Sequence, residues 1–124
     1  MTIHRPKNLN LFTIHFPIPA IASIFHRVSG FALFLFIPVL IWIWGLSISS
    51  PDTFDLIQRW LSSPLWKFTL WLLLIPFWYH LVAGVRHLLM DVHIGEELQS
   101  SRFTAWLTMG ITVLLAVLAG VWLW

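Results

Sequence analysis

From Phe31 to Gly45 the sequence runs without a single charged side chain, and only Pro38 breaks it. Two further apolar runs follow, from about Leu65 to Met90 and from about Phe103 to Trp124. A hydrocarbon core about 30 Å thick is crossed by about 20 apolar residues in a helix. In lipid only helices and closed barrels satisfy their own backbone groups. The runs therefore predict an all-α integral membrane protein with three transmembrane helices, approximately 20–46, 65–90 and 103–124, in an up-down-up bundle. Composition agrees, since 59% of the 124 residues are hydrophobic and 10% charged, against about 25% charged in soluble domains. One small membrane domain over 1–124 is expected. The formal charge of +2 is too slight to argue for nucleic acid. There is no cysteine, which excludes disulfides, thiolate haem ligation and a cysteine-held iron–sulfur cluster within this chain.

Taken in order, the first residues do not read as a signal peptide, because Pro6, Asn8, Asn10, Pro17 and Pro19 stand where a short apolar core belongs. A bacterial inner membrane protein is the expectation. Pro19 suits the first turn of a helix, and Pro38 and Pro76 are expected to kink the first two spans. Between them, Ser49-Ser50-Pro51-Asp52 opens a stretch that predicts a short amphipathic helix at the membrane surface. Ala116 and Gly120 form a small-xxx-small pair, the pattern of a helix-packing face. Arg5, Lys7, Arg27, Arg86 and Arg102 fall on one side of the membrane, and only Arg59 and Lys67 on the other. The positive-inside rule then places the N-terminus in the cytoplasm and Trp124 outside.

The polar residues inside these runs gather at one end. His80, Gly84, His87 and Asp91 follow at intervals of four, three and four residues, one face of a helix. A histidine inside an apolar helix can ligate a metal, and Gly84 is expected to let a large flat ring lie against the backbone. His80 stands about 16 Å from Asp91 along a helix rising 1.5 Å per residue, well within the membrane. Ser23, His26, Arg27 and Gly30 share a face of the first span, and antiparallel running puts them beside Arg86 and His87. Blander readings stand beside these. His80 can be an interhelical hydrogen bonder, Arg27 and Arg86 can be lipid-phosphate anchors, and Ser23 can bond its own helix. His26 and His87 can be interfacial polar residues with no ligand.

The pattern Arg5-Pro6, Ser23-x-x-His26-Arg27-x-Ser29-Gly30 and His80-x-x-x-Gly84-x-Arg86-His87-x-x-x-Asp91 resembles the cytochrome b membrane-anchor subunit of succinate dehydrogenase. The order of the two motifs and the three-span layout cover nearly the whole chain. One departure is His93, where a small residue is usual. The resemblance implies a haem b whose axial ligand is His80, with His26, Arg27, Arg86 and His87 available to its propionates. It implies that Ser23 and Arg27 belong to the site where ubiquinone receives electrons from succinate oxidation. It also implies three partners: a second hydrophobic anchor, an iron–sulfur subunit and a flavoprotein, which holds the succinate site. The second axial ligand is expected from the partner anchor. His80 and His87 lie on one helix face about 10.5 Å apart, and His26 is expected nearer the surface than His80. The competing readings are a fumarate reductase anchor, a structural anchor without haem or quinone, and a small transporter.

Overall fold

The computed structural model describes residues 15–124, so Arg5, Lys7 and the Arg5-Pro6 pair lie outside the described residues. Four helices follow in order: α1 (Ile18–Ser47), α2 (Pro51–Ser62), α3 (Pro64–Asp91) and α4 (Leu98–Leu123). Three of them, α1, α3 and α4, are long and apolar enough to cross a membrane. At 30, 28 and 26 residues they reach past a hydrocarbon core about 30 Å thick into both headgroup layers. The chain therefore goes up, down and up. α3 is the central element and packs against each of the other three.

Local chemistry sets the helix ends. Pro19 and Pro64 occupy first-turn positions, where a missing N–H costs nothing. α2 begins with a capping box: the Ser50 hydroxyl accepts from the Thr53 amide, and Thr53 Oγ1 accepts from the Ser50 amide. Asp52 in its first turn and Arg59 in its last oppose the helix dipole. α3 closes on His93, whose φ of 64° is left-handed. The Ile94 amide donates to Leu89 O at 2.9 Å and the His93 amide to Met90 O at 3.0 Å, a Schellman closure. The departure at His93 thus falls on the position that most favours glycine.

One expectation is adjusted. The third span begins at Leu98, not near 103, because Gln99, Ser100, Ser101 and Arg102 form its first polar turn. Pro38 and Pro76 lie inside α1 and α3, which run on past them.

The interior consists mostly of small residues: Ala22, Ser29, Ala83, Ser101, Ala105, Thr108, Thr112 and Ala116 are buried beside Ile57 and Arg86, and among the described residues no large side chain is fully enclosed. Small faces let helices approach closely, the usual basis of packing where lipid is as apolar as the side chains. The Thr108 and Thr112 hydroxyls donate to carbonyls one turn back, so their burial leaves no free donor. Ala116 and Gly120 receive Trp71 of α3, whose Nε1–H donates to Ala116 O at 2.8 Å. A Cβ on Gly120 would lie 3.2 Å from that nitrogen. Trp42, Trp44, Trp122 and Trp124 are exposed at the end of the bundle opposite the histidines, where an aromatic belt belongs.

Candidate functional site

The α1–α3 interface brings three histidines into one column. The His26 ring lies between the other two, 4.2 Å from His80 at an interplanar angle of 10° and 4.7 Å from His87 at 19°. His26 is therefore nearer the surface than His80, as the residue count implied, but only by the spacing of stacked rings, 4.2 Å between centroids. Its side chain extends along α1 and inserts between the two α3 rings, which a count of helical rise does not register. His26 Nε2 is buried with no hydrogen-bond partner among the described residues.

His80 has a defined tautomer. Its Nδ1 is 3.1 Å from His26 O and 3.1 Å from Ser29 Oγ, and the Ser29 hydroxyl itself donates to His26 O at 2.8 Å. A carbonyl can only accept, so Nδ1 carries the hydrogen and Nε2 of the neutral ring keeps its lone pair. Nε2 makes no hydrogen bond among the described residues and is not sealed in. A ring nitrogen that donates to a backbone carbonyl in this way orients a metal-ligating histidine. His87 is fixed in the same way, with Nδ1 donating to Ala83 O at 2.7 Å.

Gly30, on the facing helix, gives the His80 imidazole its seat. A Cβ on Gly30 would fall 2.8 Å from His80 Cε1, closer than side-chain atoms come. A Cβ on Gly84, the glycine expected to face a larger flat ring, would meet His26 Nε2 at 3.4 Å. Ser29 stands in the motif with no role that the sequence assigns, and its place three residues after His26 is the sequence signal for it.

Ser23 is half-buried and Arg27 exposed, one turn apart on α1 beside His26. The Arg27 guanidinium has no carboxylate partner among the described residues. Arg86 does not join this cluster. It lies on the α4 side of α3, where Nε donates to Thr104 Oγ1 at 3.1 Å and Nη2 to Ser101 Oγ at 3.0 Å. The expectation that it faces the histidines is corrected: residues 86 and 87 differ by about 100° around the helix axis, and only His87 turns toward α1.

Among the described residues no three His, Cys, Asp or Glu side chains converge as a metal cage. The donors suit instead a metal that brings its own equatorial ligands. His80 offers one oriented nitrogen at depth, and His26, His87 and Arg27 gather cationic or hydrogen-bonding groups toward the membrane surface. That combination fits a haem held against a helical membrane bundle.

Such a fold defines a multi-pass helical membrane protein. The family model described as "Succinate dehydrogenase/Fumarate reductase transmembrane subunit" matches residues 1–119, and the chain belongs to that family. It is 38% identical over 125 residues to the succinate dehydrogenase cytochrome b556 subunit of Coxiella burnetii, covering all of both chains. It is 32% identical to the protein of the same name in Paracoccus denitrificans, covering 93% of this chain and 88% of that one. The succinate dehydrogenase cytochrome b560 subunit of Reclinomonas americana is 28% identical, with 96% and 86% covered.

Proposed function

We propose that this chain is the haem b-binding anchor of a bacterial succinate dehydrogenase. It helps form the site at which ubiquinone takes up electrons from succinate oxidation. The observation that carries the reading is the position of His80 Nδ1, 3.1 Å from both His26 O and Ser29 Oγ, which directs its N–H to them and leaves Nε2 without a hydrogen bond among the described residues. When bound, haem b supplies a one-electron carrier at that depth. His80 would hold the iron, while Arg27 and His26, and His87 when protonated, would offer donors to the propionates. Ser23 and Arg27 present a hydroxyl and a guanidinium to the carbonyl oxygens of the quinone, where donors in a water-poor setting stabilise developing negative charge. Arg86 is not assigned to the haem, because its guanidinium is engaged by α4.

The partners in this reading are a second anchor, which would supply a further ligand to the iron, an iron–sulfur subunit and a flavoprotein. The charges of Arg27, Arg86 and Arg102 at the histidine end, against Arg59 and Lys67 at the other, support an inner-membrane orientation with that end cytoplasmic. The test is a reduced-minus-oxidised spectrum and succinate–quinone turnover of the purified assembly, in wild type and His80→Leu. A haem b signal lost in the variant is expected. An unchanged haem content would overturn the assignment.

A further inference from the structure

On the opposite side of α3 from the histidines, a groove of about 260 Å³ opens between α3 and α4. Its walls are apolar: Val82, Val85, Leu89, Leu107 and Ile111 line it, and Val85 and Leu107 are about half exposed on the outer face. Arg86 lies in the groove with only 6% of its surface accessible. Every hydrogen bond of its guanidinium among the described residues goes to a neutral oxygen, of Thr104 or Ser101. The one contact between a basic and an acidic side chain among the described residues is the exposed His93–Glu96 pair in the connecting loop. Arg86 therefore carries a full positive charge in an apolar setting with no anion to compensate it, a costly arrangement unless a partner is supplied.

We propose that this groove binds an anionic phospholipid, with its phosphate on Arg86 and an acyl chain along the Val85–Leu107 wall. Depth agrees. Arg86 is five residues from the end of α3, about 7.5 Å by helical rise, which is the level of the lipid phosphate and glycerol. The form of the groove agrees as well. A free phosphate ion would gain nothing from a long apolar wall, whereas a lipid uses both the cation and the wall. Ser100 lines the groove near Gly95 and adds a hydroxyl at the headgroup end.

The test uses the protein with all chains that copurify, reconstituted into nanodiscs of equal phosphatidylglycerol and phosphatidylcholine. One of the two lipids in turn carries a diazirine on its acyl chain. Photolabelling of residues 82–89 and 107–111 should favour phosphatidylglycerol about fivefold, the ratio given by about 1 kcal/mol for one cation at a membrane surface. The lipid-facing stretch 113–121 should label equally with both. Arg86→Gln should remove the preference. Ser100→Glu, which leaves Arg86 in place and sets a carboxylate at the groove mouth, should remove it too, so the proposal does not depend on the arginine variant folding. Equal labelling of the groove by both lipids would overturn it. So would a preference that survives Ser100→Glu, or a groove that neither lipid labels because another protein chain covers it.

Discussion

At the scale of single residues, the site depends on a few hydrogen bonds that set one imidazole. Ser29 contributes one of the two acceptors for His80 Nδ1–H, and its removal leaves His26 O to hold the ring. Ser29→Ala should therefore keep haem but make the ligand less basic. A buried hydrogen bond is worth about 0.5–1.5 kcal/mol, so the midpoint potential should rise by about 20–65 mV, taking 59 mV per tenfold for one electron. Redox titration of the haem band measures it. Gly30→Ala should act more severely, since its methyl meets His80 Cε1 at 2.8 Å and must push the ring off both acceptors. Gly84→Ala should be tolerated. Haem-to-protein ratios in the two alanine variants discriminate between them, and equal ratios would remove Gly30 from its role. For the quinone, Ser23→Ala and Arg27→Leu should lower succinate–quinone turnover while succinate oxidation with an artificial acceptor persists. Losing a charge-assisted donor costs about 1.5–3 kcal/mol, or roughly 10–150-fold for Arg27. Wild-type rates with both acceptors would exclude these residues from the site.

Among the elements, α3 and α4 are held together by small residues and by one indole reaching across. Gly120 leaves room for Trp71, whose Nε1–H bonds Ala116 O. Gly120→Leu should force that ring away and destabilise the pair by about 1–3 kcal/mol, the usual cost of overpacking. Unfolding of the purified protein in mixed detergent micelles, compared with wild type, reads this directly. The same helices mark what the sequence could reveal. Phe31–Gly45 and the two later runs announced the spans, because lipid demands unbroken apolar length. The start of α4 at Leu98 was not announced, since Gln99 to Arg102 are polar both as loop and as the interfacial turn of a helix. Ser23, His26, Arg27, His80 and His87 were legible as chemistry in an apolar setting. The partners of those residues were not. Whether Gly30 or Gly84 faces an imidazole, whether His26 reaches between two α3 rings and whether Arg86 turns to α4 depend on the rotation of one helix against another. Residue spacing within a single helix does not determine that rotation.

For the whole molecule, the decisive property is how little of it closes on itself. Among the described residues no large side chain is fully buried, while Phe31, Phe34, Leu35, Trp42 and Val113 lie open, an outer surface suited to lipid and to another membrane chain. The histidine column bears on that second role. Two axial ligands of one haem must point their nitrogens at the iron from opposite faces, each in its own ring plane. His80, His26 and His87 are instead stacked nearly parallel, at 4.2 Å and 4.7 Å, so no pair of them can straddle a porphyrin. Depth does not exclude His26; ring orientation does. A six-coordinate haem therefore needs a ligand from outside the described bundle, and a histidine of a second anchor subunit is the expectation. The chain expressed alone and titrated with haem in detergent should give at most a five-coordinate, high-spin spectrum. Adding the partner anchor should convert it to the low-spin form, and His80→Leu should abolish both. A bis-histidine low-spin spectrum from the isolated chain would show that the column rearranges to supply both ligands, and the shared-haem arrangement would then be wrong.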